Sequence, residues 1–225
     1  MAGGHARGTI SAMDSPPPRS RVVAIIPIGT LEGAKSRLGG TLDAEERRDL
    51  VDEMVDRTVR AALETPGLSD VLVISPDHDA RDQASFLGAR TLRQWSSGLN
   101  AGLDEARADV MAAGADAIVV LPIDLPLVSS AAIGRLMAPL ARIDDRPLVV
   151  LASDRHGRGT NALLVAPPDA IEFRFGRDSR AAHRASAEQA AARYVELDGP
   201  LSIDLDTPDD LLLTETLAGE HADAG

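Results

Sequence analysis

Apolar and polar positions alternate in two different rhythms along this chain. Val22 to Ile28 is an unbroken, largely β-branched apolar run, which predicts a strand covered on both faces. Leu50, Val51, Met54, Val55, Thr58, Val59, Ala62 and Leu63 then recur at helical intervals and predict an amphipathic helix. The same exchange continues downstream. Strands are expected at Val71–Ile74, Ala89–Leu92, Ala117–Leu121, Leu148–Ala152, Ala162–Val165 and Tyr194–Leu197. Helices are expected at Ala80–Leu87, Leu99–Ala113, Ser129–Leu140 and Ser179–Ala192, with a last one starting at Thr207-Pro208-Asp209-Asp210. Apolar strands alternating with amphipathic helices imply an α/β fold, a single domain whose mostly parallel, Rossmann-like sheet is flanked by helices. Ligands in such sheets bind beyond the carboxyl ends of the strands, so chemistry should gather just after them.

The ends fall outside this pattern. Residues 1–20 are rich in Gly, Ser and Pro without periodicity and read as a disordered tail, with Met13 an alternative start. The domain is expected over 21–218, and 219–225 as a frayed end. The chain has 225 residues, a formal net charge of -12 and a pI near 4.8, which argues against a duplex nucleic-acid binder. Cys is absent, so disulfides and thiol chemistry are excluded, in keeping with a cytoplasmic protein. No apolar run reaches the roughly 20 residues that a membrane helix needs. An acidic protein handling anionic substrates would need local cations, from Arg, Lys or metal ions.

Six clusters carry candidate chemistry. After the first strand, PIGTLEGAKSRLGG (Pro27 to Gly40) combines flexible glycines with Lys35, the sole lysine of the chain, and Arg37. Backbone amides and two cations there could surround a polyphosphate, although the spacing is not that of a P-loop. In VVLPIDLPLV, Asp124 sits between Pro122 and Pro126 at the end of an apolar strand. A carboxylate there must be neutral, hydrogen-bonded, open to solvent at the strand end, or holding a cation.

In SIDLDTPDDLLL, Asp204 and Asp206 are two apart in an extended segment and so project to the same side, where their repulsion invites a cation such as Mg²⁺. Thr207, Pro208 and Asp210 read instead as a helix start. SDRHGRGTNALL (Ser153 to Leu164) offers Gly157 and Gly159 for a tight loop, Arg155 and Arg158 for charge, and Thr160 and Asn161 as neutral donors. An anion subsite and an ordinary glycine hairpin both fit it. FRFGRDSRAAH (Phe173 to His183) opens a helix after Gly176, with Arg177, Arg180, His183 and Arg184 close by. That too suits an anion, or merely a capped surface helix. WSSGLNAGL adds Ser97 and Asn100 at another helix start.

Taken in order, AKSRL, GLNAGL, LPIDLPL, DRHGRGTNALL, FGRDSRAAH and IDLDTPDDL resemble the guanylyltransferases of coenzyme F-420 biosynthesis, from about Val22 to Leu213. The resemblance implies a nucleotide-diphospho-sugar transferase-like fold. It also implies transfer of GMP from GTP to a small phosphorylated carboxylic acid, with release of pyrophosphate. Phosphoenolpyruvate, 2-phospholactate and 3-phosphoglycerate remain open as acceptors, and the labile product implies a hand-over to the next pathway enzyme.

By the same resemblance, Asp124, Asp204 and Asp206 bind Mg²⁺, and Thr160, Gly176 and Ser179 contact the acceptor. Pro27, Lys35, Arg37, Ser97 and Asn100 contact the nucleotide. Lys35, Arg37 and Asp124 are the catalytic set, acting by alignment and charge neutralisation. One departure stands out: the family commonly has lysine where this chain has Gly29. Two other readings are a sugar-nucleotide glycosyltransferase, since Asp204-Leu205-Asp206 is formally a D-x-D, and a GTP-binding relative without transfer.

Overall fold

The apolar runs become seven strands of one sheet in the computed structural model, which describes residues 20–31, 40–142, 146–205 and 210. They are β1 (Val22–Pro27), β2 (Leu68–Ser75), β3 (Arg90–Arg93), β4 (Ala117–Val120), β5 (Leu148–Ser153), β6 (Thr160–Ala166) and β7 (Arg193–Leu197). The helices between them are α1 (Ala44–Leu63), α2 (His78–Leu87), α3 (Leu99–Ala112), α4 (Ser130–Met137) and α5 (Ser179–Gln189). The expected elements are all present with shifted ends. The exception is the last helix, of which only Asp210 lies among the described residues. The helix expected to reach Leu140 tightens to a 3₁₀ turn over Ala138–Arg142.

Strand order is β3-β2-β1-β4-β6-β5-β7, and every neighbouring pair is parallel except those made by β6. The chain builds outward from β1 to β3, then returns to place β4 on the other side of β1. That reversal opens a crevice beyond the carboxyl ends of β1 and β4, the usual ligand position in open α/β sheets. Because β6 runs backwards, its first residue Thr160 lies at the same rim as the ends of β4 and β5.

The strands' two faces carry separate cores. Ala24, Ile26, Val73, Val119, Val150 and Leu164 pack against α1, α2 and α4, whereas Ile25, Leu72, Ile118, Leu151 and Leu163 pack against α3 and α5. Burying an Ile or Leu such as Ile25 or Leu72 contributes about 1.5–3 kcal/mol each relative to leaving it in water.

The helix starts are not alike. Asp43 caps α1 by accepting the N–H of Glu45 and Glu46, while Glu46 accepts the Asp43 N–H, a complete capping box. Asp77 caps α2 and Ser129 caps α4. The two helices on the other face, α3 and α5, begin at Gly98 and Asp178 with no side-chain cap; at α5 backbone carbonyls take that part, the Ser179 N–H donating to Gly176 and the Arg180 N–H to Arg158.

Candidate active site

Asp124 answers to its setting. Strand β4 stops at Val120, the Leu121 N–H still reaches the Ile25 carbonyl of β1 (3.0 Å), and Ile123 and Asp124 form a turn at the mouth of the crevice. The side chains of Ile123 and Leu125 hold that turn down, Leu125 being buried. Asp124 itself is half-buried, as is Asp204. The two segments, distant in sequence, are joined by main chain: the Leu205 N–H donates to the Asp124 carbonyl at 2.9 Å. Leu205 is buried, so in this extended stretch its neighbour Asp204 turns the other way. Two carboxylates on adjoining strands of backbone are an oxygen-only donor set of the kind that suits Mg²⁺. Among the described residues no group of three acidic or His side chains forms a metal-binding cluster; the third expected ligand, Asp206, lies outside them, as do Lys35 and Arg37.

The C-terminal segment has a second anchor. Arg155, in the β5–β6 loop, makes an ion pair of 2.6 Å with the buried Asp210. The sequence suggests Arg155 as an anion contact; its guanidinium is instead directed to Asp210, tying that loop to the acidic segment.

A register shift shapes the other half of the site. Ser153 of β5 pairs with Thr160, but Ala152 pairs with Ala162, which leaves Asn161 as the extra residue of a β-bulge. Counting back from Leu163 puts Asn161 on the α5 face. Pairing with Ser153 puts Thr160 on that face too, where strict alternation would have turned it away. Thr160 and Asn161 are both buried, and the Asn161 Nδ2 has no hydrogen-bond partner among the described residues.

Thr160 Oγ1 lies 3.0 Å from Nδ1 of His183, and His183 Nε2 accepts the Arg174 N–H at 2.9 Å. The ring is fully buried, with the Phe175 ring edge-on at 5.0 Å between centroids. Burial, aided by the charge of Arg174, pushes its pKa down to about 4, so it is neutral at physiological pH. In sequence His183 reads as one cation among several; in the structure it is a neutral polar strut.

The chain between Phe173 and α5 is fastened from α3. Asn100 Nδ2 donates to the Phe175 carbonyl (3.0 Å) and Asn100 Oδ1 accepts the Phe175 N–H (2.9 Å). Asn100 thus stands beside the loop carrying Gly176, with one N–H left to offer. Gly176 has φ +125, a conformation that L side chains rarely adopt, and Ser179, almost fully buried, donates its N–H to the Gly176 carbonyl at 3.3 Å. Thr160, Gly176 and Ser179 therefore gather around His183 at the start of α5, where the Ser179 and Arg180 N–H groups already hold the Gly176 and Arg158 carbonyls and the positive end of the helix dipole still favours an anion.

The arginines nearby are largely committed. Arg180 holds Glu196 and the Gly157 carbonyl, and Arg184 holds Glu188. With Gly157, Arg158, Asp178 and Ala181 they line a cleft of about 240 Å³ outside the α5 start. Asp154 receives the Gly159 and Arg158 amides of the hairpin; burial opposes its charge, and those bonds still hold its pKa below the usual range.

On the β1 side, Pro27 is half-buried at the strand end and Gly29 is exposed. Asp77 Oδ2 accepts the Leu31 N–H (3.0 Å), holding the chain just beyond β1. Ser97 is exposed in the β3–α3 loop, which arches over α3 with the Gln94 amide donating to the Ser96 and Gly98 carbonyls. A Cβ on Gly102 would lie 2.6 Å from the Gln94 side chain, which accounts for the glycine. Sequence reading did not single out Asn161 for its orphaned amide or His183 for its two bonds. The bulge behind the first has no sequence signal beyond GRGTN, and a buried His looks like any other.

Comparison with known proteins agrees with this layout. A family described as guanylyl transferase CofC like matches residues 22–223. A phosphoenolpyruvate guanylyltransferase of Rubrobacter xylanophilus is 41% identical over 88% of this chain and 95% of its own, and one of Sphaerobacter thermophilus is 38% identical over 90% and 95%. Among solved structures, a protein described as a nucleotide-diphospho-sugar transferase from Desulfovibrio desulfuricans G20 superposes with a TM-score of 0.69 at 16% identity, over 85% of both chains. A 4-diphosphocytidyl-2C-methyl-D-erythritol synthase from Anaerococcus prevotii does so at 0.60 and 10%, covering 89% and 96%. The last two establish the fold, and the family match with the close relatives establishes the lineage: this chain belongs to the CofC-like guanylyl transferase family.

Proposed function

We propose that this protein transfers GMP from GTP to phosphoenolpyruvate, with Mg²⁺ as cofactor, as a step of coenzyme F-420 biosynthesis. The observation that carries the reading is the Leu205–Asp124 main-chain bond, which sets two acidic segments side by side at the crevice where the family's chemistry belongs. An oxygen of the acceptor phosphate attacks the α-phosphorus of GTP; the bond from that phosphorus to the bridging oxygen breaks, and pyrophosphate leaves with the electron pair. An ionised phosphate is already a nucleophile, so no general base is required.

The chain's own work is alignment and charge placement. Thr160, Ser179 and the backbone at Gly176 hold the acceptor on the α5 side. Pro27, at the end of β1, stands toward the triphosphate, whose charge Lys35 and Arg37 would offset, with Ser97 and the remaining N–H of Asn100 toward the nucleoside. Asp124, Asp204 and Asp206 would hold Mg²⁺, which when bound offsets the negative charge of both reactants. Both substrates are intracellular metabolites, which supports work in the cytoplasm, and the reactive diphosphate product favours direct delivery to a following enzyme. Among the described residues no helix is long and apolar enough to cross a membrane.

The test is purified protein with Mg²⁺, GTP and, separately, phosphoenolpyruvate, 2-phospholactate and 3-phosphoglycerate, following pyrophosphate and product mass, with the next pathway enzyme added as a trap. Phosphoenolpyruvate should support turnover, and Asp124→Ala should abolish it in a folded protein. GTP binding without pyrophosphate release, or full activity of Asp124→Ala, refutes the proposal.

A further inference from the structure

The His183 ring has only one neutral arrangement that satisfies both of its neighbours. Its Nε2 faces a backbone N–H, that of Arg174, at 2.9 Å, and an N–H can only donate, so Nε2 carries the lone pair. The ring proton of the neutral imidazole is therefore on Nδ1, which faces Thr160 Oγ1 at 3.0 Å. A protonated ring would direct an N–H at the Arg174 N–H inside a fully buried pocket.

The consequence falls on Thr160. A hydroxyl has one proton and can accept as well as donate. With His183 donating to Oγ1, the hydroxyl proton has no use toward the ring and is turned to whatever else reaches it. The bulge that brings Thr160 to the α5 face also places there the Asn161 Nδ2, a buried donor with no partner among the described residues. A surrounding that supplies donors and leaves them unanswered is one built for an acceptor group from outside.

We infer that His183 is a positioning residue: it locks the Thr160 hydroxyl as a donor to an anionic oxygen of the acceptor substrate. This deepens the functional reading above and rests on it for the identity of the acceptor. His183 touches no substrate; it acts through Thr160, and its second bond fixes the Arg174–Gly176 backbone against the same point.

Two kinds of measurement test the inference. In the wild-type protein labelled with ¹⁵N-histidine, NMR should show Nδ1 protonated and Nε2 unprotonated at neutral pH. Two near-isosteres then divide the ring's two bonds. His183→Asn keeps a donor at the Nδ1 position, and His183→Gln keeps an acceptor at the Nε2 position. With Mg²⁺ and GTP, the Gln variant should raise the KM for phosphoenolpyruvate by about 10- to 100-fold, the worth of one hydrogen bond to a charged group, with the KM for GTP unchanged. The Asn variant should stay within about threefold of wild type in the same KM, though less stable to heat, because it leaves the Arg174 N–H unmatched.

An Nε2-protonated ring overturns the inference even with transfer intact. So do equal losses in both variants affecting both substrates, the mark of a merely structural His, or no change in either. Should neither variant fold, Thr160→Ser against Thr160→Val in the wild-type background reads the same donor, and equal acceptor KM values in that pair overturn it. A wild-type protein that releases no pyrophosphate refutes the guanylyl-transfer reading instead, and with it the acceptor contact, while the ring's tautomer is still read in the same sample.

Discussion

Mild acid should weaken this fold through the His183 ring. In the unfolded chain His183 returns to its ordinary pKa of 6.5, whereas in the folded protein burial and the charge of Arg174 hold it at about 4. Between those values the unfolded chain binds more protons, so stability rises with pH across that window. The contribution is complete above about pH 7, is lost progressively as pH falls through 6.5, and is gone below about 4. The full separation of about 2.5 units corresponds to about 3 kcal/mol at about 1.4 kcal/mol per unit. Going from pH 7 to pH 5 should remove about 2 kcal/mol of it. The ring is completely buried, so solvent does not dilute the effect. Urea unfolding of wild type and His183→Gln at pH 7, 6 and 5 isolates the term, because the exposed histidines His78 and His156 are common to both proteins. The wild type should lose stability over that range more steeply than the variant by about 2 kcal/mol. Parallel curves, or a His183 resonance that titrates near 6.5, would refute the buried-ring account.

Three substitutions probe the rest of the site. Asn100→Ala removes both hydrogen bonds to the Phe175 backbone and should cost about 1–3 kcal/mol in urea melts, with a raised KM for the acceptor; an unchanged melt would show that the loop is held by other means. Gly176→Ala forces a side chain into φ +125 and should lower stability by about 1–3 kcal/mol and slow turnover, whereas a neutral result by thermal denaturation would mean that the turn relaxes freely. Gly29→Lys supplies the cation that the sequence resemblance leads one to expect there; a Cβ at that position meets nothing within 4 Å among the described residues, so stability should be unchanged, and calorimetry should show GTP binding tightened by up to about tenfold. Weaker GTP binding by that variant would show that the glycine is suited to its place.

The fold was readable because its strands are buried on both faces, which makes Val22–Pro27 and Ala117–Val120 uninterrupted apolar words in the sequence. Strand order followed less directly: that β6 runs against its neighbours depends on a short hairpin at Gly157 and Gly159, and the sequence allowed an anion loop there equally well. At the site, the prolines beside Asp124 located it at a strand end, whereas the shared side expected for Asp204 and Asp206 turns on a residue outside those described. What spacing could not deliver were relations across the chain. The pairing of Arg155 with Asp210, the grip of Asn100 on Phe175 and the neutral state of His183 each depend on a partner that only folding brings close. Lys35, Arg37 and Asp206, which the sequence places in the same chemistry, lie outside the described residues.

The bond between Leu205 and Asp124 uses only peptide groups, one N–H and one C=O. This one bond is thus indifferent to which side chains its two residues bear. Exchanging Asp124 for an amide, or for a longer acid, leaves this bond both its donor and its acceptor. Such a seam lets a lineage retune what the crevice grips while inheriting its architecture unchanged.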